Sequence, residues 1–123
     1  MMALKRALDL PYLGKFSSAG LASLRSDIVP PDELWCIQHY SFEGDLATSG
    51  GNTRARYYAD RDGVKTPLGE QDAPSADTLY WDRDIFWLYP GDKLLLEWDQ
   101  AQAATTLKMH LRGYRVDAKE GVI

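Results

Sequence analysis

Cysteine is nearly absent from this chain of 123 residues: Cys36 is the single thiol, so no disulfide can close within it. That excludes the disulfide-stapled class of small secreted domains. Histidine is almost as scarce, with only His39 and His110. They form no His-x-His pair, so one chain cannot supply a three-histidine metal centre. Long apolar runs are missing too. The longest span a handful of residues, far below the roughly 20 that a membrane-spanning helix needs, and no bilayer-crossing segment is expected. A secretory leader would need an uninterrupted apolar stretch after Lys5 and Arg6, but Asp9, Pro11, Gly14 and Lys15 break it, so the segment is expected to stay on the mature protein.

Several chemical signatures are also lacking. Ser49-Gly50-Gly51-Asn52-Thr53 carries glycines without the phosphate-binding lysine or a following helix, and reads as a loop tip. Asp60-Arg61-Asp62-Gly63 resembles part of a calcium loop, but Tyr58 and Gly69 stand where carboxylates are required. It reads as a hairpin turn. Cys36 lies inside a strand pattern without protease-like flanks, and Ser41 has no glycine elbow around it. Asp82, Asp84 and Asp92 are candidates for an acid pair, yet acidic loop residues are usually solvated. No catalytic residue, metal or cofactor is assigned, and the chain is not expected to be an enzyme. An enzyme reading would require His39 and His110 to converge with a carboxylate in one pocket.

What is present is a globular composition, 45% hydrophobic and 26% charged, of a length that folds as one domain. Charge is unevenly placed. Lys5, Arg6, Lys15 and Arg25 face only Asp9 in the first 26 residues, whereas the remainder of a chain of net charge −4 is acidic. Leu4 and Leu8, then Leu21, Leu24 and Ile28, recur at helical spacing, while Pro11, Gly14 and Gly20 keep such pieces short. Residues 1–29 are therefore expected to be an N-terminal arm, extended or with short helical turns, ordered by packing on its own body or on a neighbour.

Pro30-Pro31 marks a change of character. Eleven of the fourteen aromatics lie between Trp35 and Trp98, and β-branched and aromatic residues alternate with Gly, Pro, Asn and Asp clusters. The spacing predicts strands over Leu34–Glu43, Thr53–Asp60, Val64–Leu68, Thr78–Trp81, Ile85–Tyr89 and Lys93–Trp98, with a loop over 69–77 and a turn at Tyr89-Pro90-Gly91-Asp92. In the first strand, Trp35 and Ile37 fall on one face and Tyr40 and Phe42 on the other. Either both faces are covered or a bulge near Gln38-His39 re-phases it. The last strand sets Leu107, Met109 and Leu111 against Thr106, Lys108, His110 and Arg112, and Gly113 is expected to bend it from one sheet into the next. The fold expected is all-β: a two-sheet antiparallel, jelly-roll-like β-sandwich over 30–118, with a tail at 119–123.

Tyr80-Trp81 and Phe86-Trp87-Leu88-Tyr89 place bulky side chains on both faces of short segments, so one core cannot take them all. They suit a second aromatic layer of the core, a subunit interface with Asp82, Arg83 and Asp84 as its polar rim, or stacking on sugar rings. Tyr80, Trp81, Phe86, Trp87, Tyr89 and Trp98 are expected to form a partner-binding surface, joined by Lys5, Arg6, Lys15, Phe16 and Arg25 of the arm.

The motifs "VPPDELWCIQHYSF", "NTRARYYADRDGVKTPL", "IFWLYPGDKLLLEW" and "TTLKMHLRGYRV", spread over Val29 to Val116, resemble those of small β-sandwich accessory proteins of tailed-bacteriophage virions. In that family a tryptophan strand follows a proline, a Pro-Gly-Asp turn leads into a late strand, and a strand ending near Gly-x-x-Val closes the domain. The matching places are Trp35, Leu88 to Leu94, and Gly113 to Val116. The resemblance implies a non-enzymatic virion component made in the host cytoplasm: a head decoration or cement protein, or a neck or tail attachment protein. It further implies a homo-oligomer, with a trimer favoured, contacting major capsid or connector and tail subunits, with no direct nucleic-acid or membrane contact. The alternative expectation is a carbohydrate- or receptor-binding module that uses Trp81, Trp87 or Tyr89 on a surface glycan.

Overall fold

The computed structural model describes residues 5–50 and 52–117. Among the described residues nine strands run in chain order: β1 (Arg6–Phe16), β2 (Gly20–Arg25), β3 (Glu33–Gly44), β4 (Arg54–Arg61), β5 (Val64–Asp72), β6 (Tyr80–Asp82), β7 (Phe86–Leu88), β8 (Lys93–Ala101) and β9 (Thr105–Asp117). One antiparallel sheet has the order β1-β9-β3-β6, with β7 also on β3; the other has the order β2-β8-β4-β5. With β6 and β7 taken as one interrupted edge strand, this is jelly-roll wiring, in which the chain repeatedly crosses from one sheet to the other. The all-β sandwich expected from the alternation is the fold observed.

Residues 5–29, the described part of the segment expected to be an arm over 1–29, do not form one. Arg6–Phe16 pairs along its whole length with β9, and Gly20–Arg25 pairs with β8. The physical reason is a period of two: Leu8, Leu10, Tyr12 and Phe16 alternate with Asp9, Pro11, Leu13 and Lys15, and the first set packs on the core. Pro11 is tolerated because β1 is a sheet edge. Nor does Pro30 mark a boundary. Val29 is buried, its N–H donates to the Asp92 carbonyl at 2.8 Å, and its own carbonyl accepts from Gly91 N–H at 3.0 Å. The tail expected at 119–123 lies outside the described residues.

Between Ile37 and His39 the register of β3 against β9 shifts by one, leaving Gln38 as a bulge. Trp35, Ile37, Tyr40 and Phe42 all enter the core as a result. The same bulge divides the neighbouring edge: β7 pairs with Trp35 to Ile37 and β6 with Tyr40 to Phe42. Between them, Asp82 Oδ1 accepts the N–H of Asp84 at 2.8 Å, a local turn that interrupts the strand. Gly113 does not carry β9 into the other sheet. It stands opposite Ile37, where a Cβ would collide with the Cys36 carbonyl, and β9 stays between β1 and β3 throughout. The region expected as a loop from residue 69 is strand as far as Asp72, paired with Arg54.

The core joins the inner faces of both sheets, with Ile37, Tyr40, Leu88, Leu94, Leu96, Trp98, Leu107 and Leu111 fully enclosed. Trp98 stands directly across from Ala22 of β2 and Ala55 of β4, two small residues that open a slot for its indole.

Candidate functional site

The sandwich closes along two edges. One is made by β1 and β2; the other by β5 opposite the broken strand β6–β7. At the second edge the aromatic residues separate by parity. Tyr80 and Phe86 turn inward and pack against the core, Tyr80 lying 5.5 Å from Phe42, ring centre to ring centre, and accepting the Ser75 N–H at 2.8 Å through its hydroxyl. Trp81, Trp87 and Tyr89 turn outward, with 56%, 38% and 43% of their surface exposed. Leu79 and Ile85, not among the expected partner residues, are also exposed on this edge. Their signal was the parity of the two short strands, legible once the pairing to β3 is known.

Trp81 is not a bare ring. His39 stacks on it at 6.2 Å with 17° between planes, and the Arg83 guanidinium lies 4.7 Å from its centre. Trp87 meets Tyr114 edge-on at 6.0 Å, beside buried Cys36. The Tyr114 phenol is raised above its ordinary pKa, first by its hydrogen bond with Cys36.

Across the cleft, Tyr57 of β4 donates to Asp82 Oδ2 at 2.6 Å and ties the two sheets at this edge. Burial, then the Asp82 carboxylate, holds the Tyr57 phenol far above its usual range. Below it lies a groove of about 540 Å³ lined by β4, β5 and the β7–β8 turn. Asp92 is buried in its wall; Oδ1 accepts from Arg61 Nε at 2.8 Å and Oδ2 from the Tyr89 N–H at 2.9 Å.

The remaining expected partner residues do not join this edge. Trp98 is entirely enclosed in the core and cannot contact a partner, because the alanines beside it admit the whole indole. Phe16 ends β1 and packs on the core. Lys5, whose ammonium lies 4.7 Å from the Tyr114 ring centre, and Arg6 stand at the start of β1, and Lys15 at its far end, roughly 30 Å away by strand rise. Arg25 closes β2 in the other sheet. The four cations are thus distributed along strands and form no common arm.

The two histidines share the outer face of the β3–β9 pair but engage opposite neighbours, His39 the Trp81 ring and His110 the Asp9 carboxylate of β1. The His110 hydrogen bond lowers the Asp9 pKa, helped by Arg112. Among the described residues no cluster of three His, Cys, Asp or Glu side chains is arranged to hold a metal ion.

No family model matches the chain, and no curated protein matches it. Among solved structures it is similar to a protein from work titled "Bacillus endospore appendages form a novel family of disulfide-linked pili", at 12% identity and TM-score 0.45, covering 95% of this chain and 91% of that one. It is also similar to a chain of the infectious bursal disease virus Gt strain, at 13% identity and TM-score 0.38, covering 96% of this chain and 33% of that one. A family two carbohydrate esterase from Cellvibrio japonicus follows at 14% identity and TM-score 0.30, over 94% of this chain and 35% of that one. Likeness at these values carries nothing about function.

Proposed function

We propose that this chain is a structural jelly-roll subunit of a tailed-bacteriophage virion: a decoration or cement protein of the head, with the neck or tail as the other position. The observation that carries the reading is the exposed apolar edge of Leu79, Trp81 and Ile85, set on a body whose opposite sheet faces solvent. The outer face of that sheet is a ladder of ion pairs, Arg54 with Asp72 at 3.1 Å, Arg56 with Glu70 at 3.4 Å and Lys65 with Glu97 at 2.9 Å. Such exposed pairs add little stability but keep a face hydrated. Covering the apolar edge stabilises an assembly by roughly 2 kcal/mol for each large side chain withdrawn from water.

The sequence resemblance over Val29 to Val116 supports the same reading. A cement protein acts only through its preference for the assembled state, burying surface that the free subunits leave open. The partners are further copies of this chain, a trimer being favoured, and the capsid or connector and tail subunits beneath them. Asp82, Arg83 and Asp84 supply the polar rim. Native mass measurement should find the oligomer, and labelled antibody against the chain should decorate phage heads or necks released from the host. A monomer at micromolar concentration, or particles without label, would overturn the reading.

A further inference from the structure

We propose that the groove between β5 and the β7–β8 turn binds a neutral saccharide, an activity beyond the structural role and independent of it. Its volume, about 540 Å³, falls within the range of small-ligand sites. Trp87 and Tyr89 line it and remain substantially exposed. Two residues apart on an extended segment, their Cα atoms lie about 7 Å apart and both side chains reach the groove. Tyr114 holds the Trp87 ring edge-on, so that ring is set before any ligand arrives.

The polar side of the groove is equally fixed. Asp92 is buried and doubly engaged, by Arg61 Nε and by the Tyr89 N–H, which ties the guanidinium to the backbone of the aromatic platform. The Arg61 side chain is still half exposed, with its terminal nitrogens left for a ligand, and Thr66 adds a hydroxyl to the same lining.

This combination selects the occupant. An apolar peptide laid over the groove would desolvate the Arg61–Asp92 pair without giving its remaining donors and acceptors a partner, a net loss. A pyranose ring has an apolar C–H face for the indole and phenol and a rim of hydroxyls that donate and accept at once. Arg61 is matched by Asp92, and Asp62 adds a further carboxylate to the lining, so the groove offers no excess positive charge to an acidic sugar. The ligand is therefore a neutral hexose polymer.

Affinity electrophoresis of the full chain through gels containing soluble cellulose-type glucan, mannan or galactan tests this, with a uronic-acid polymer as the charged comparison. Retardation by at least one neutral polymer is expected, weakened about tenfold by Trp87→Ala and by Tyr89→Ser. Leu21→Ala, exposed on β2 at the other edge of the sandwich and outside the groove, should bind as the parent does. Thermal unfolding of each variant separates lost binding from lost folding, and Tyr89→Ser, at an exposed position, keeps the test open if Trp87→Ala unfolds. Retardation by none of the neutral polymers, retardation by the acidic polymer alone, or an equal loss in Leu21→Ala would overturn the proposal.

Discussion

Gly44 of β3 faces Trp98 of β8 across the sandwich, so close that a Cβ on Gly44 would stand 2.9 Å from the indole. Ala22 and Ala55 flank the same ring within its own sheet. Gly44→Ala is expected to overpack this slot and destabilise by about 1–3 kcal/mol. Trp98→Ala, which empties it, should cost about 3–5 kcal/mol, whereas Trp81→Ala, which loses only the His39 and Arg83 contacts at the exposed edge, should cost about 1 kcal/mol or less. Denaturant unfolding of the three variants checks the order.

The hydrogen bond from Tyr57 to Asp82 joins the sheets where β6 has only three residues to hold it. Tyr57→Phe is expected to cost about 1.5–3 kcal/mol, as for a bond to a charged acceptor. Hydrogen exchange should quicken first at Tyr80 to Asp82. A uniform rise across the sandwich would contradict a local tie.

Gly113→Ala sets a methyl group against the Cys36 carbonyl, in the middle of the β3–β9 pair. Backbone cannot yield as a flexible side chain does, so a loss of about 3 kcal/mol or more is expected. Gly63→Ala is the comparison: nothing crowds that position, but its φ of +86° is unfavourable for an L-residue. About 1–2 kcal/mol should be lost there. Equal losses at the two sites would argue against the close approach.

Removing residues 1–28 takes away β1 and β2, one edge from each sheet. It uncovers β9 and β8 and the core beneath Leu8, Ala22 and Leu24. The truncated chain is expected to lose the dispersed amide spectrum of a folded protein. A well-dispersed spectrum would restore these residues to the status of an arm.

The folded-state pKa of Asp9 lies below its ordinary value, chiefly through His110. The unfolded chain therefore binds this proton more readily, so the contribution is complete above the unfolded value and is lost as pH falls through the folded one. Asp9→Asn should flatten part of the decline in stability below about pH 4. Unfolding curves at neutral and acid pH for parent and variant read this out; identical declines would remove Asp9 from the account.

Much of the fold was legible as alternation. The bulge in β3 could be read because two inward pairs, Trp35 with Ile37 and Tyr40 with Phe42, fell out of phase. The Tyr89 to Asp92 turn announced itself through Pro90-Gly91. β1 was harder: Leu4 and Leu8 satisfy a helical spacing, and Leu8, Leu10 and Tyr12 a strand spacing, in the same few residues. Charge pointed the wrong way as well, since Lys5, Arg6 and Lys15 suggested a solvated arm, whereas an edge strand tolerates such residues on its outer side. At the candidate site, the exposure of Trp81, Trp87 and Tyr89 could be anticipated from crowding. The fate of Trp98 could not, because the slot that admits it is built by Ala22, Gly44 and Ala55 from three other strands.

The sequence by itself determined that the chain is all-β, where most strands turn, and that more aromatic bulk exists than one core accepts, because period, turn chemistry and side-chain volume are local properties. Only the tertiary structure decided that β1 closes on β9, nearly a hundred residues away, and that Arg61 and Asp92 meet beside Trp87 and Tyr89. Those pairings depend on which faces meet once every strand has found its neighbour, and no local pattern encodes them.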